Sequence, residues 1–238
     1  MQKSFTLLHS VKTAPLCPLK CATFATDIRF MPLVHQFTIN ENTTLLVWHI
    51  TEEPHELHSR FLHRLTDLQY EASLQNLHWL ASRAAIAACF EKGSIQVVKD
   101  EYNKPSLLVD GMHYHVSITH SFDYAAVLIS PTHDVAIDME KFDNRIERVK
   151  HKFASDDELR FARTHRQLTL LWSAKETLYK FYGKKAVLFK SQLAVDEFTE
   201  TDLSLSGHIK LADYNRQLSI HVHVIGEYCV TYIVQLMR

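Results

Sequence analysis

The sequence predicts an α+β fold: two similar α/β halves, each a long helix packed on an antiparallel sheet, related by a pseudo-twofold with one site at their seam. Three observations predict it. The order strand, helices, strand pair occurs twice along the chain. The two apolar helices align on their tryptophans, Trp79 on Trp172, at an offset of 93. The strand pairs YHVSITHSFDYAAVLI and LSIHVHVIGEYCVTYI align at an offset of 104, with Val116 on Ile220, Ile118 on Val222, Tyr124 on Tyr228 and Ile129 on Ile233.

The elements follow in order. Thr44 to Ile50 (TLLVWHI) is rich in β-branched residues and reads as a strand. The apolar segment Leu77 to Phe90 (LHWLASRAAIAACF) reads as a helix. After Asn103-Lys104-Pro105 come two strands, Tyr114 to His120 and Tyr124 to Ile129. In the second half Val135 to Met139 (VAIDM) is a strand, Leu168 to Phe181 (LTLLWSAKETLYKF) a helix, and Leu218 to Val224 and Tyr228 to Val234 a strand pair. The turn-like SPTH at Ser130 to His133 marks the join, giving halves 1–133 and 134–238. The period is far too long for a solenoid.

Composition sets limits. The 238 residues are 46% hydrophobic, which supports a packed core and excludes a disordered chain. Twenty-six Lys and Arg balance 27 Asp and Glu, so no global basic field draws nucleic acid, and an anionic ligand needs a local cluster of cations. Cys17, Cys21, Cys89 and Cys229 form no CxxC pair, which fits reduced thiols in a cytoplasmic protein. The apolar stretch at the N-terminus is broken by His9, Lys12 and Pro15, so no signal peptide is read there, and no run has the length of a membrane helix. The histidine pairs His113/His115 and His221/His223 alternate along strands and so share a face, which suits a metal or, as the ordinary reading, solvent-facing strand histidines.

The repeat is chemically lopsided. Ser82 and Arg83 oppose Lys175 and Glu176 on the helices, and Trp48 and Ile50 stand near Asp138 and Met139 on the first strands. Only the second half carries acids. Asp138 and Glu140 are two apart on a strand and leave the same face. Carboxylates beside an apolar VAID run are costly unless paired or metal-bound, and a hard divalent cation such as Mg²⁺ resolves the cost; a strand end running into solvent resolves it too. On the second helix Trp172, Glu176, Tyr179 and Lys180 share a face. Glu176 and Lys180 then sit beside the core as a third metal ligand with an adjacent cation, or as an ordinary surface pair.

The motifs VSITHS, AIDME and WSAKETLYK, in that order and at these spacings, resemble the signature of the 4'-phosphopantetheinyl transferase superfamily. The likeness runs from about Lys104 to Lys190 and more weakly back to WLASR at Trp79 to Arg83. It is similar to the larger, pseudo-dimeric class that serves non-ribosomal peptide, polyketide and fatty-acid carrier proteins, whose fold also has an internal repeat. The resemblance implies transfer of the phosphopantetheine arm of coenzyme A to a serine of an apo acyl or peptidyl carrier protein, with release of 3',5'-adenosine bisphosphate. It implies that Asp138, Glu140 and Glu176 hold Mg²⁺ or Mn²⁺ against the pyrophosphate, with Lys180 facing the phosphates and Lys175 the lysine of the helix motif. Ser117 and His120 match phosphate-contacting strand residues, and Lys104 and Pro105 border the adenine and the 3'-phosphate. Asp138, Glu176 and Lys180 would then carry the chemistry, with Glu176 as acceptor of the serine proton. The first half would supply nucleotide contacts and the second the metal acids, in a chain that needs no second copy.

The sequence departs from the family pattern at three places. Ala136 and Asn103 replace glycines, and Gln75, Asn76 and His78 replace basic residues ahead of the first helix, which shifts the expected 3'-phosphate contact to Arg83 or Lys104. The segment Lys141 to Phe153 alternates basic and apolar residues and suits an acidic helical carrier, or a solvated face. Two other readings use the same residues: a metal-dependent phosphoesterase, and a non-catalytic relative that binds carrier protein or coenzyme A.

Overall fold

A computed structural model describes residues 33–61, 65, 76–90 and 92–237. Cys17, Cys21 and Gln75, and the N-terminal stretch read for a signal peptide, lie outside the described residues.

The first sheet is built from β1 (Leu33–Asn40), β2 (Thr43–His49), β3 (Ile95–Lys99), β4 (Pro105–Val109), β5 (Met112–Ser121) and β6 (Tyr124–Ser130), with helices α1 (Pro54–Phe61) and α2 (Leu77–Ala88) between β2 and β3. The second contains β7 (His133–Lys141), then α3 (Glu158–Phe161), α4 (His165–Tyr182), α5 (Phe189–Gln192), β8 (Leu193–Val195), β9 (Ser204–Lys210), β10 (Asn215–Ile225) and β11 (Tyr228–Leu236). All pairs between these named strands are antiparallel.

The strand orders match. The first sheet runs β1-β2-β6-β5-β4-β3 and the second β7-β11-β10-β9-β8, so apart from β1 the two have the same sequence of neighbours. The boundary between sheets falls in the predicted turn, between Ser130 and His133. Ladder register corrects one alignment. Leu46 pairs with Val127 and Asp138 with Thr231, while Trp48 pairs with Ala125 and Glu140 with Cys229. At the offset of the strand pairs, Leu46 and Trp48 therefore stand where Asp138 and Glu140 do, rather than Trp48 and Ile50 opposite Asp138 and Met139.

Alternation along each strand separates three cores. Leu46, Trp48, Val116 and Val127 face Leu80, Ala84 and Ile86 of α2. Ala136, Ile220, Val222 and Cys229 face Leu171, Ala174 and Leu178 of α4. Leu45, Val47 and Leu128 meet Ile137, Met139 and Val230 between the sheets. The layers run helix, sheet, sheet, helix.

α4 starts three residues before its predicted first residue because Thr164 and Gln167 form a reciprocal capping box, and it ends at Gly183, whose φ of 74° is the left-handed cap that glycine adopts freely.

β7 is an edge strand, yet its outward N–H groups are not left open. Ile137 N donates to Ser117 Oγ at 3.0 Å, Met139 N to Thr119 Oγ1 at 3.3 Å and Lys141 N to Ser121 Oγ at 3.3 Å. Three hydroxyls at a period of two on β5 thus stand in for a neighbouring strand and stitch the sheets together.

Candidate functional site

β7 carries Asp138 and Glu140 to the face covered by α4. Asp138 is 4% exposed. Lys180 Nζ, in the last turn of α4, donates to Asp138 Oδ1 at 2.7 Å and to Ile137 O at 3.1 Å. Thr119 Oγ1 donates to the same Oδ1 at 3.2 Å. The other oxygen, Asp138 Oδ2, is buried with no hydrogen-bond partner among the described residues. Trp172 Nε1 donates to Glu140 Oε1 at 2.9 Å.

Electrostatics tie the third acid to this group. Burial, and then the Asp138 carboxylate, push Glu176 up to about 7, with Lys180 opposing. Burial and Asp138 push Glu140 to about 7 as well, against the Trp172 hydrogen bond and Lys180, with Glu176 adding to the rise. The three carboxylates therefore act on one another through a partly buried region, with the Lys180 ammonium opposing them.

Among the described residues, no group of three or more His, Cys, Asp or Glu is drawn together as a ready metal site. The donor chemistry fits a hard divalent cation all the same: three carboxylates, one with a buried oxygen left unpaired. In the present arrangement Lys180 takes the cation's part at Asp138.

Beside these acids lies a cleft of about 230 Å³ lined by Tyr102, Asn103, Lys104, Pro105, Ser117, Tyr179, Lys180 and Lys184 among others. It is walled by the β3–β4 turn and β5 on one side and the end of α4 on the other. Asn103 makes the turn with a φ of 70°. Lys104 reaches across, its Nζ donating to Phe181 O at 3.1 Å, and burial holds its ammonium below the usual lysine range. Lys104, Pro105, Ser117 and Lys180, expected from the sequence, meet in this cleft; the Ser117 hydroxyl also holds Ile137 N–H.

Three expected residues do not line it. Lys175 is fully buried behind α4, where its Nζ donates to Glu158 Oε2 at 2.7 Å, Phe153 O at 2.7 Å and Phe189 O at 3.0 Å. Its three protons are taken, so it anchors the segments around α4 and cannot touch a ligand in the cleft. The helix period explains this: Lys175 is next to Glu176 and so points away from the site. Arg83 is 6% exposed, with its guanidinium 4.7 Å from the centroid of the Trp79 ring. It packs with the α2 core and does not line the cleft.

His120 stands apart from the cleft lining. It lies on the α2 side of β5, its ring stacked on that of His78 at 4.5 Å and 14° between planes. Burial, the neighbouring His78 and then Lys180 hold its imidazole below the usual histidine value, with Asp138 opposing.

Thr119 and Lys184 were not read from the sequence. Thr119 had a signal, since it shares a strand face with Ser117 and Ser121. Lys184 follows the left-handed Gly183 cap that ends α4 and lines the cleft from there. Around Lys141 to Phe153 the chain forms two 3-10 turns, Asn144–Arg148 and Lys150–Lys152, with Val149 exposed between them and Lys141 and Arg145 over the exposed ring of Phe122.

Residues 134–233 match the family model described as ACPS: 4'-phosphopantetheinyl transferase superfamily. The match holds Asp138, Glu140, Glu176 and Lys180 and leaves out the first sheet. No curated protein matches the chain at a significant level. No helix among the described residues is long and apolar enough to cross a membrane.

Proposed function

We propose, from the match of residues 134–233 to the 4'-phosphopantetheinyl transferase superfamily model, that the chain transfers the phosphopantetheine arm of coenzyme A to a serine of an apo acyl or peptidyl carrier protein. The observation that carries this reading is the meeting of Asp138, Glu140, Glu176 and Lys180 beside a cleft that Lys104 and Pro105 border.

In this reading the nucleotide end of coenzyme A lies in the cleft, with its adenine bordered by Lys104 and Pro105. Asp138, Glu140 and Glu176 would hold Mg²⁺ or Mn²⁺. That ion would supply polarisation of the phosphoryl oxygens and charge for the leaving group. Asp138 Oδ2, buried and unpaired, is the oxygen that supports the assignment most directly. Lys180 neutralises charge that develops on the phosphates. Glu176, held near 7, is suited to take the proton from the serine hydroxyl at neutral pH. The serine oxygen bonds to the β-phosphorus as the bond to the bridging oxygen breaks, and 3',5'-adenosine bisphosphate leaves.

The common strand order supports a two-part chain related by a pseudo-twofold, with nucleotide contacts in 1–133 and the acids in 134–238. One seam then suffices for activity in a cytoplasmic monomer. The basic and apolar surface around Phe122, Lys141, Arg145 and Val149 suits an acidic helical carrier.

The test is incubation with coenzyme A, Mg²⁺ and a panel of apo carrier proteins, read by intact mass. The expected result is a gain of one phosphopantetheine group on a carrier, lost with Asp138→Asn and with Glu176→Gln. A wild-type protein that binds no coenzyme A and modifies no carrier would overturn the reading.

A further inference from the structure

The histidine at position 78 is where the family pattern has thinned most, yet it is closely engaged. It is the second residue of α2, whose first turn is fixed by Asn76 accepting from Trp79 N. Its Nε2 bonds to Phe122 O. Phe122 is at the β5–β6 turn with a φ of 51°, a left-handed conformation that a phenylalanine adopts only when held. The adjacent Asp123 is held in turn by Tyr228 OH at 2.5 Å and by His49 at 3.0 Å. His78 is thus clamped to a turn that is itself clamped.

The ring it presents lies flat on His120. His120 is an exposed residue on a strand whose neighbours Thr119 and Ser121 are buried in the seam. Alternation turns it to the opposite face, toward α2, where His78 covers one side of its imidazole. Both Lys180 and Asp138 lie near enough to act on it electrostatically.

We infer that His78 is a positioning residue for the transfer proposed above: stacked on His120 and bonded to Phe122 O, it fixes the imidazole that this reading assigns to a phosphate of coenzyme A. This rests on the transferase reading and deepens it. A chain lacking the usual lysines and arginines ahead of α2 then recovers part of its phosphate affinity from a pre-set imidazole rather than from added charge. Holding one ring in place removes the rotamer freedom that ligand binding would otherwise have to remove.

The experiment measures coenzyme A binding by calorimetry with Mg²⁺ present, together with kcat and KM for transfer. The variants are His78→Ala, His78→Phe, His120→Ala and the double variant His78→Ala/His120→Ala. Loss of one aromatic stack corresponds to about three- to tenfold weaker binding. His78→Ala should show it, mainly in KM, and His78→Phe, which keeps the stack without the bond to Phe122 O, should recover most of it. The double variant should bind no more weakly than His120→Ala, because His78 acts through His120. If His78→Ala fails to fold, the Phe variant carries the same reading: affinity close to wild type supports it and affinity equal to His120→Ala overturns it. Unchanged affinity in folded His78→Ala, or losses that multiply in the double variant, would overturn it too. A wild type that binds no coenzyme A sinks the transferase reading itself, whereas a wild type that binds while the His78 variants are indifferent sinks only this one.

Discussion

Replacing Glu176 by Gln should make the metal-free protein more stable while removing its activity. The carboxylate is held near 7 by burial and by Asp138, against an ordinary 4.5. Its folded-state value lies above its unfolded one, so between these values the folded protein binds more protons. Stability therefore falls as pH rises through that window, and the full penalty is present above about pH 7. A displacement from 4.5 to about 7 corresponds to about 3 kcal/mol at full ionisation. Glu176 is only partly buried, and screening by water reduces this to about 1–2 kcal/mol. For a chain of this size that is a gain of about 2–8 °C in melting temperature at pH 8. At pH 5 about a quarter of the difference should remain, because the folded carboxylate is already protonated. Differential scanning fluorimetry of both proteins at the two pH values, in chelator, measures it. Added Mg²⁺ should raise the wild type and move the variant little. A variant no more stable than wild type at pH 8, or one whose advantage grows toward pH 5, would refute the claim that these acids repel one another in the fold.

Three further outcomes follow from the geometry. Lys175→Met leaves Glu158 buried without its cation and should cost about 3–5 kcal/mol in urea unfolding, where a ligand-binding lysine would instead change KM and leave stability alone. Gly183→Ala should cost about 1–2 kcal/mol from its left-handed backbone and weaken coenzyme A binding in calorimetry, since the new Cβ would come within 2.6 Å of Lys104 Cδ and displace that side chain from Phe181 O. Thr119→Val strips Met139 N–H of its acceptor and Asp138 of a donor, and should cost about 1–3 kcal/mol by thermal melting.

The helices and the two strand pairs were legible because their signals are local: a 3.6 period, a 2.0 period and the apolar run between them. The acids were legible for the same reason, since two residues on a strand share a face and Glu176 is four from Trp172. What the sequence hid depends on long-range contact. β8 has three residues and is a strand only because β9 pairs with it. The burial of Lys175 follows from Glu158, seventeen residues earlier, whose other oxygen is taken by Val195 N. A lysine beside a candidate metal ligand reads as a ligand contact until that buried partner is known. For Arg83 the contact is local: its guanidinium lies over the ring of its own helix neighbour, Trp79.

The shared strand order raises the question of why only the second sheet presents acids at these positions. Ladder register locates the answer. Where the second half has Asp138 and Glu140, the first has Leu46 and Trp48, both fully or almost fully buried against α2. Four residues past each helix tryptophan, the second half has Glu176 and the first has Arg83. The first half thus fills the equivalent space with a leucine, an indole and an arginine stem, and the indole Nε1 finds Glu52 Oε2 at 3.4 Å. A second set of three carboxylates there would lack Lys180, since α2 has Ala87 eight residues past its tryptophan. Each buried acid without such a partner costs several kcal/mol. A single cation-ready corner is therefore the stable arrangement, and the first sheet has kept β5 with the hydroxyls that tie it to β7 and the histidine that faces α2.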